Sequence, residues 1–312
     1  MLCDMNTVFI LNVLSDALAY GMLLFTISIG LSIMMGLMRV INLAHGAFAM
    51  LGGYIASYAM SGRAVRVGTG SYVFSLPALN LPYAVAIALA VAGTVIVALP
   101  FERLLFRRIY RNADPLAQVL MTIGICFFLI GLANLVFGPT LSAIPLPMML
   151  RGPLDLGFRV MPTHRVFVIL CGAVTALALW FLVEKTEFGI RLRAAVDNSA
   201  MADALGIRTQ IIYAATFALA IALAAFGGVV GAEILPIEPF YGQRYMVVFL
   251  VVVSVGGAGS IAGALSASLL LGLADTLGRY VPGDYGEFFF YLAVVGIVVA
   301  FPQGLLARVR QA

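Results

Sequence analysis

The chain has 312 residues, a mean hydropathy of +1.08, 63% hydrophobic residues and only 10% charged ones. That balance excludes an ordinary soluble domain and places the chain among helical membrane proteins. The net charge of +4 comes from arginines in short segments between apolar runs, where they set orientation, so it implies no nucleic-acid partner.

Cys3, Cys126 and Cys171 are odd in number and two lie in apolar runs, which gives neither a disulfide framework nor a metal spacing. They read as packing residues. The first basic residue is Arg39, so the apolar start lacks the basic flank of a cleavable signal peptide and is expected to stay in the chain. Residues 1–312 read as one transmembrane domain.

A spanning helix needs about 20 apolar residues. Residues 18–37 meet that without a charge, and the residues before them, with Asn12 and Asp16, are expected at the interface. A tight turn at Met38 and Arg39 leads into residues 41–60, which open with Asn42 and His45 and are broken by Gly46, Gly52 and Gly53. Residues 61–81 are polar and turn-rich, with Arg63, Arg66 and Pro77. The third span follows at 83–101. The loop 102–114 carries Arg103, Arg107, Arg108 and Arg111, the densest basic cluster in the chain, so it is expected in the cytoplasm. Residues 117–137 cross back with Thr122 as a polar member, the proline-rich stretch 138–164 forms an outside loop or cap, and 166–183 return to the cytoplasm.

Residues 184–210 then show a soluble protein's charge density between two spans. Thr186 is placed to cap one short helix, Asn198 or Ser199 to cap a second, and Gly206 to end it as a left-handed residue. Leu192, Val196, Met201 and Leu205 do not form one clean stripe. The residues alone leave two readings open, a solvated loop or a docking surface. Beyond it, 211–232 cross outward, and Glu233, Glu238 and Arg244 are expected outside. The run 246–274 is too long for one span and is interrupted over 254–260. A broken or re-entrant pair there keeps the acidic stretch 275–287 outside, lets 288–301 cross inward and leaves Arg308 and Arg310 in the cytoplasm. The expected fold is an all-α polytopic membrane protein of about eight hydrophobic segments with discontinuous or re-entrant helices, N-terminus out and C-terminus in.

The spans so drawn contain no Asp, Glu, Lys or Arg, which disfavours an ion-coupled mechanism. Ser260 and His45 could be imagined as nucleophile and base of an intramembrane hydrolase, but no sequence context supports the pair. Instead, two glycine-interrupted segments stand out: one with Asn42, His45 and Gly46, the other with Ser254, Gly256, Gly257, Gly259 and Ser260. Discontinuous helices leave backbone amides at membrane depth, which is tolerable where they line a cavity, and close packing through glycine is the competing explanation. Thr122 joins them as a candidate along a polar path for a small solute. A phosphate-cradling loop needs Gly-Lys-Ser/Thr, whereas the single lysine, Lys185, follows Glu184. The chain binds no ATP in that way and needs no cofactor of its own; if ATP drives it, another subunit holds the nucleotide.

The run Gly36-Leu37-Met38-Arg39-Val40-Ile41-Asn42-Leu43-Ala44-His45-Gly46-Ala47 resembles the signature of permease subunits of branched-chain amino acid ABC importers, the LivH type. Glu102-Arg103 with the arginines after it, Thr186 through Ile207, and the Gly256–Ser260 break resemble the same family, over nearly the whole chain. The resemblance implies a multi-pass subunit of the bacterial inner membrane with no catalysis of its own. It also implies a second related permease, two cytoplasmic ATPases and a periplasmic solute-binding protein as partners. Residues 184–210 then correspond to the coupling segment on an ATPase, with Thr186, Gly189, Arg191, Arg193, Ala194, Asp197, Ala202, Leu205 and Gly206 as candidates. Permeases for urea or short amides share much of this pattern, and a transporter or channel acting alone is the alternative from another class.

Overall fold

A backbone in a bilayer has no water to bond, so runs this apolar satisfy their peptide groups as helices. The computed structural model describes residues 2–61, 65–67, 74–77, 79–107, 114–138, 143–155, 160–280 and 285–300. The first half contains α1 (Leu2–Leu37), α2 (His45–Ser61), α3 (Tyr83–Phe101, continued by a π-helical turn over Glu102–Phe106), α4 (Pro115–Phe137) and the single turn α5 (Met148–Arg151). The second contains α6 (Thr163–Lys185), α7 (Glu187–Asp197), α8 (Ser199–Ala204), α9 (Thr209–Val230), α10 (Tyr241–Gly256), α11 (Ile261–Tyr280) and α12 (Gly286–Ala300). Two small antiparallel hairpins sit in the connections: β1 (Val65–Val67) with β2 (Phe74–Leu76), Val65 opposite Leu76, and β3 (Pro153–Asp155) with β4 (Val160–Pro162), Pro153 opposite Pro162.

Six of these helices are long and apolar enough to cross a membrane: α1 from Phe9, α3 with its π turn, α4, α6, α9 and α11. Helices α2, α10 and α12 are shorter, at 17, 16 and 15 residues. The expected run 246–274 resolves into two helices, because α10 starts at Tyr241 and ends at Gly256 before α11 returns. Arg63, Arg108, Arg111, Arg308 and Arg310 lie outside the described residues.

Helix α1 is the axis of the molecule, and Leu23, Leu24, Ile27, Leu31 and Met34 on it are wholly buried. Against it α9 runs antiparallel, with Gly231 on Leu23, Gly227 on Ile27 and Ala220 on Gly30. On another side α11 is also antiparallel, with Gly272 on Gly21 and Gly259 on Gly36. Small residues at these crossings let the backbones approach, since lipid supplies no hydrophobic drive between helices. The exposed large side chains of α3, α4 and α6, such as Ile96, Phe127 and Leu177, form the outward apolar faces.

Two expectations need correction. Asn12 and Asp16 do not precede the first span but belong to one continuous α1. Nor are all charges outside the spans, because Asp16 lies within the span Phe9–Leu37 and the buried Asp275 within α11. Each carboxylate is neutralised by an arginine: Asp16 by Arg165 at the start of α6, and Asp275 by Arg279 one turn later, at 2.7 Å. Asp16 also accepts a hydrogen bond from the Tyr280 hydroxyl at 2.8 Å. Asp275 sits in the last turns of α11 and Asp16 well inside α1, and for both the arginine partner lowers the cost of a charge in a membrane.

Candidate functional site

The chain leaves α1 at Leu37 and turns back at Arg39, whose φ of 54° puts a non-glycine residue in the left-handed region. Residues 38–44 then climb beside α1. The amide of Ile41 donates to Gln118 Oε1 on α4 at 3.2 Å, and Asn42 Oδ1 accepts from the Ala44 amide at 3.0 Å. Thr122, one turn beyond Gln118, donates its hydroxyl to the Gln118 carbonyl at 2.9 Å. His45 Nε2 lies 2.9 Å from the Ile27 carbonyl. A carbonyl only accepts, so Nε2 carries the proton. Ile27 is ten residues before the end of α1, about 15 Å along the axis. Helix α2 therefore starts near mid-depth, which is why 17 residues suffice to bring it to the far end, where Tyr54 stacks on Phe137 of α4 at 4.9 Å.

Helix α10 starts at the same place from the opposite direction. After α9 the chain passes through 231–240, where Ile237 packs on Gly53, and Tyr241 opens α10 with its amide donating to the Glu238 carbonyl at 3.0 Å. A Cβ added at Gly242 would stand 2.6 Å from the Ala47 amide nitrogen, and one at Gly46 would stand 2.9 Å from the Gly242 carbonyl oxygen. The first turns of α2 and α10 thus touch backbone to backbone and then diverge toward opposite ends of the molecule. Two helix N-termini, each the positive end of a dipole, face each other there. His45 Nδ1 and the Tyr241 hydroxyl are buried at these starts with no hydrogen-bond partner among the described residues.

From this junction α10 runs to the end of α1. Gly257 (φ 86°) and Gly259 (φ 82°) make the break, in a left-handed region that penalises any side chain. The Gly259 amide donates to the Ser32 carbonyl at 3.0 Å, and Gly36 lies so close to Gly259 that no side chain fits at position 36. Ser260 Oγ accepts from the Gly263 amide at 3.0 Å and caps α11. Gly256 packs on Gly263, and Ser254 stands on the outward face of α10. The two glycine breaks, in opposite halves of the sequence, therefore converge on the last turns of α1. Ser260 and His45 are each committed elsewhere, one as a helix cap and the other to α1, so they do not form a hydrolytic pair.

Residues 184–210 fold as two short helices. Asn198, rather than Ser199, caps α8 by accepting from the Met201 amide at 2.9 Å. Thr186 caps nothing, because its hydroxyl turns back to the Leu182 carbonyl at 2.5 Å. Gly206 has φ 86°, and the bonds Gly206 N to Asp203 O and Ile207 N to Ala202 O, both 3.0 Å, close α8 as a Schellman motif. Gly189 and Ala202 face inward; Gly189 lies so close to the Val183 carbonyl that a Cβ there would collide with it. Arg193 is also tied inward, donating to the Val183 carbonyl at 2.9 Å beside Glu184, while Ala194 is half-buried. Outward stand Asp197, Gly206, Leu205 (75% exposed), Ile190 (61%), Met201 (59%), and Arg191 paired with Glu187. Arg107 donates to Gln210 Oε1, which puts the end of the π turn, with Arg103 and Arg107, at the same end of the molecule as this segment.

The family described as "Branched-chain amino acid transport system / permease component" matches residues 13–298. The chain belongs to it. Over 290 residues, 90% of each chain, the permease is 27% identical to the high-affinity branched-chain amino acid transport system permease protein LivH of Escherichia coli K12. Over 303 residues, 96% of each chain, it is 27% identical to the corresponding permease protein BraD of Pseudomonas aeruginosa. A probable branched-chain amino acid transport permease protein LivH of Methanocaldococcus jannaschii is 26% identical over 304 residues, covering 95% of this chain and 90% of that one. No solved structure matches significantly. The permease is a multi-pass inner-membrane protein and a transport subunit rather than an enzyme.

Reading the sequence alone puts Glu238 and Arg244 of the permease in an outside loop. The fold instead carries the start of α10 down to the α2 junction. The signal that could have found this is a pattern shared with α2: a polar opening (Glu238, Gln243, Arg244), a glycine at the second helical position (Gly242, like Gly46) and an apolar run behind it.

Proposed function

We propose that the permease passes branched-chain or chemically similar amino acids inward across the inner membrane as one subunit of an ATP-driven importer. The amino-acid class is supported by relatives that carry that name over nine-tenths of the chain. The absence of any Gly-Lys-Ser/Thr sequence assigns nucleotide hydrolysis to a partner. Two ATPases dock at the end that holds α7 and α8, which is cytoplasmic by its arginines, a second related permease lies alongside, and a solute-binding protein delivers from the opposite face. The N-terminus of α1 is then outside and α12 runs inward. The solute path passes the junction of α2 and α10, with Asn42, His45, Gly46 and Thr122 as its supporting wall. It leaves by Ser254 and the Gly256–Ser260 break. Half-helices that begin at mid-depth support this course.

The observation that carries the reading is the surface of α7 and α8. Ile190, Met201 and Leu205 are exposed on an element otherwise charged enough to live in water, and Arg191 lies beside them. Apolar side chains rimmed by charge fit a protein partner. Leu205→Asp is expected to insert normally, to lower ATPase co-purification about tenfold, and to lower uptake of labelled leucine in step. A Leu205→Asp transporter that keeps its ATPase and takes up leucine at the parental rate would leave this segment a solvated loop. Uptake of labelled urea in place of leucine would move the solute to short amides.

A further inference from the structure

Helix α10 begins near mid-depth, and its first turn presents Gln243 and Arg244 outward, with the Arg244 side chain 61% exposed. Lipid is a poor neighbour for that turn, since an arginine at the centre of a bilayer is strongly disfavoured. Nor is Arg244 loose. Its Nη1 pairs with Glu238 at 3.0 Å, and its guanidinium lies 5.6 Å from the centre of the Tyr245 ring.

Beside this turn a groove of about 760 Å³ opens between α1, α10, α11 and α12. Its wall includes Tyr20, Arg244, Tyr245, Asp275, Arg279 and Tyr291. Tyr20 is seven residues above Ile27 on α1, about 10 Å along the axis. The groove therefore runs from the outer ion pair Asp275–Arg279 down to Arg244, and Arg279 covers the Tyr20 ring at 5.4 Å. A wall with this many charged groups is a poor neighbour for an acyl chain.

We infer that this groove is an aqueous arm of the solute path and that Arg244 meets the carboxylate of the passing solute at its inner end. The inference rests on the permease reading proposed above and names a site for it. A guanidinium fork matches a carboxylate with two parallel hydrogen bonds, and Glu238 and Tyr245 hold the fork in place. Asp275, beside Arg279, puts a carboxylate on the same wall, so a small zwitterion meets a group of opposite charge for each of its ends.

The test uses the assembled transporter in liposomes, with Cys3, Cys126 and Cys171 replaced by alanine. Val248→Cys lines the groove, and Leu177→Cys on the outward face of α6 is the lipid control. A small charged methanethiosulfonate is expected to react with Val248→Cys about tenfold faster than with Leu177→Cys, and leucine is expected to slow that reaction. Arg244→Gln is expected to lower leucine uptake about tenfold with ATPase still bound, and Arg244→Lys to restore part of it. A Val248→Cys as inert as the control, or one cross-linked to the second permease with the reagent shut out, overturns the groove as a path. Parental leucine uptake by Arg244→Gln overturns the role of the arginine. Fast reaction of Val248→Cys in a complex that carries no amino acid leaves the aqueous arm standing and brings down the proposed function instead.

Discussion

Helices α2 and α10 start against each other, Gly46 on Gly242, yet the two starts are held by different physics. The α2 start is sealed: Asn42 and His45 are wholly buried, and both are bound, His45 to the Ile27 carbonyl and Asn42 to the Ala44 amide. The α10 start is held by backbone turns through Glu238 and Phe240 and by the exposed pair Glu238–Arg244. Breaking the first strands polar atoms in a dry interior, whereas breaking the second returns charges to water. Of two half-helices that meet nose to nose, α10 is thus held by the weaker polar contacts and α2 by the stronger.

The largest effect is expected where the two starts share one contact. Gly242→Leu puts a side chain into the Ala47 backbone and should destabilise the purified permease complex by about 3 kcal/mol or more, read as a lower melting midpoint and poor yield. Parental melting would mean that the two helices are not packed together at all. His45→Ala should cost about 1–3 kcal/mol, because it removes a buried hydrogen bond between α2 and α1 and leaves the Ile27 carbonyl with only its intrahelical donor. A glutamine at position 45, able to donate, should recover part of that loss; no recovery would remove the hydrogen bond as the cause. Glu238→Gln should change stability least, by about 0–1 kcal/mol, since its partner is largely exposed. If Glu238→Gln proved as destabilising as His45→Ala, the contrast between a strongly and a weakly held start would collapse.

Much of this arrangement is legible in the amino-acid sequence. Apolar runs of spanning length gave the helices, and Gly206 was recognisable as the left-handed residue that ends α8, because few other residues tolerate φ near 86°. Asn198 and Ser199 were equivalent candidates for the cap. Only the local backbone chose Asn198, and a bond to α6's own carbonyl took Thr186 away from capping altogether. Arg193 reads as a surface charge on the periodicity of α7, but the return of the chain after α6 puts the Val183 carbonyl within its reach.

What the sequence alone determined is the class of molecule and its punctuation: membrane-spanning apolar runs, a water-borne segment at 184–210, and two glycine-rich interruptions. These follow from short-range physics, since transfer of a residue to lipid and the φ range open to glycine depend on little beyond the residue itself. Depth was left to the tertiary structure. A polar turn such as Glu238 to Arg244 has the same composition whether it lies outside the membrane or halfway through it. Only the packing of α9 on α1, which carries the following segment down onto Gly46, put that turn near mid-depth beside an open groove.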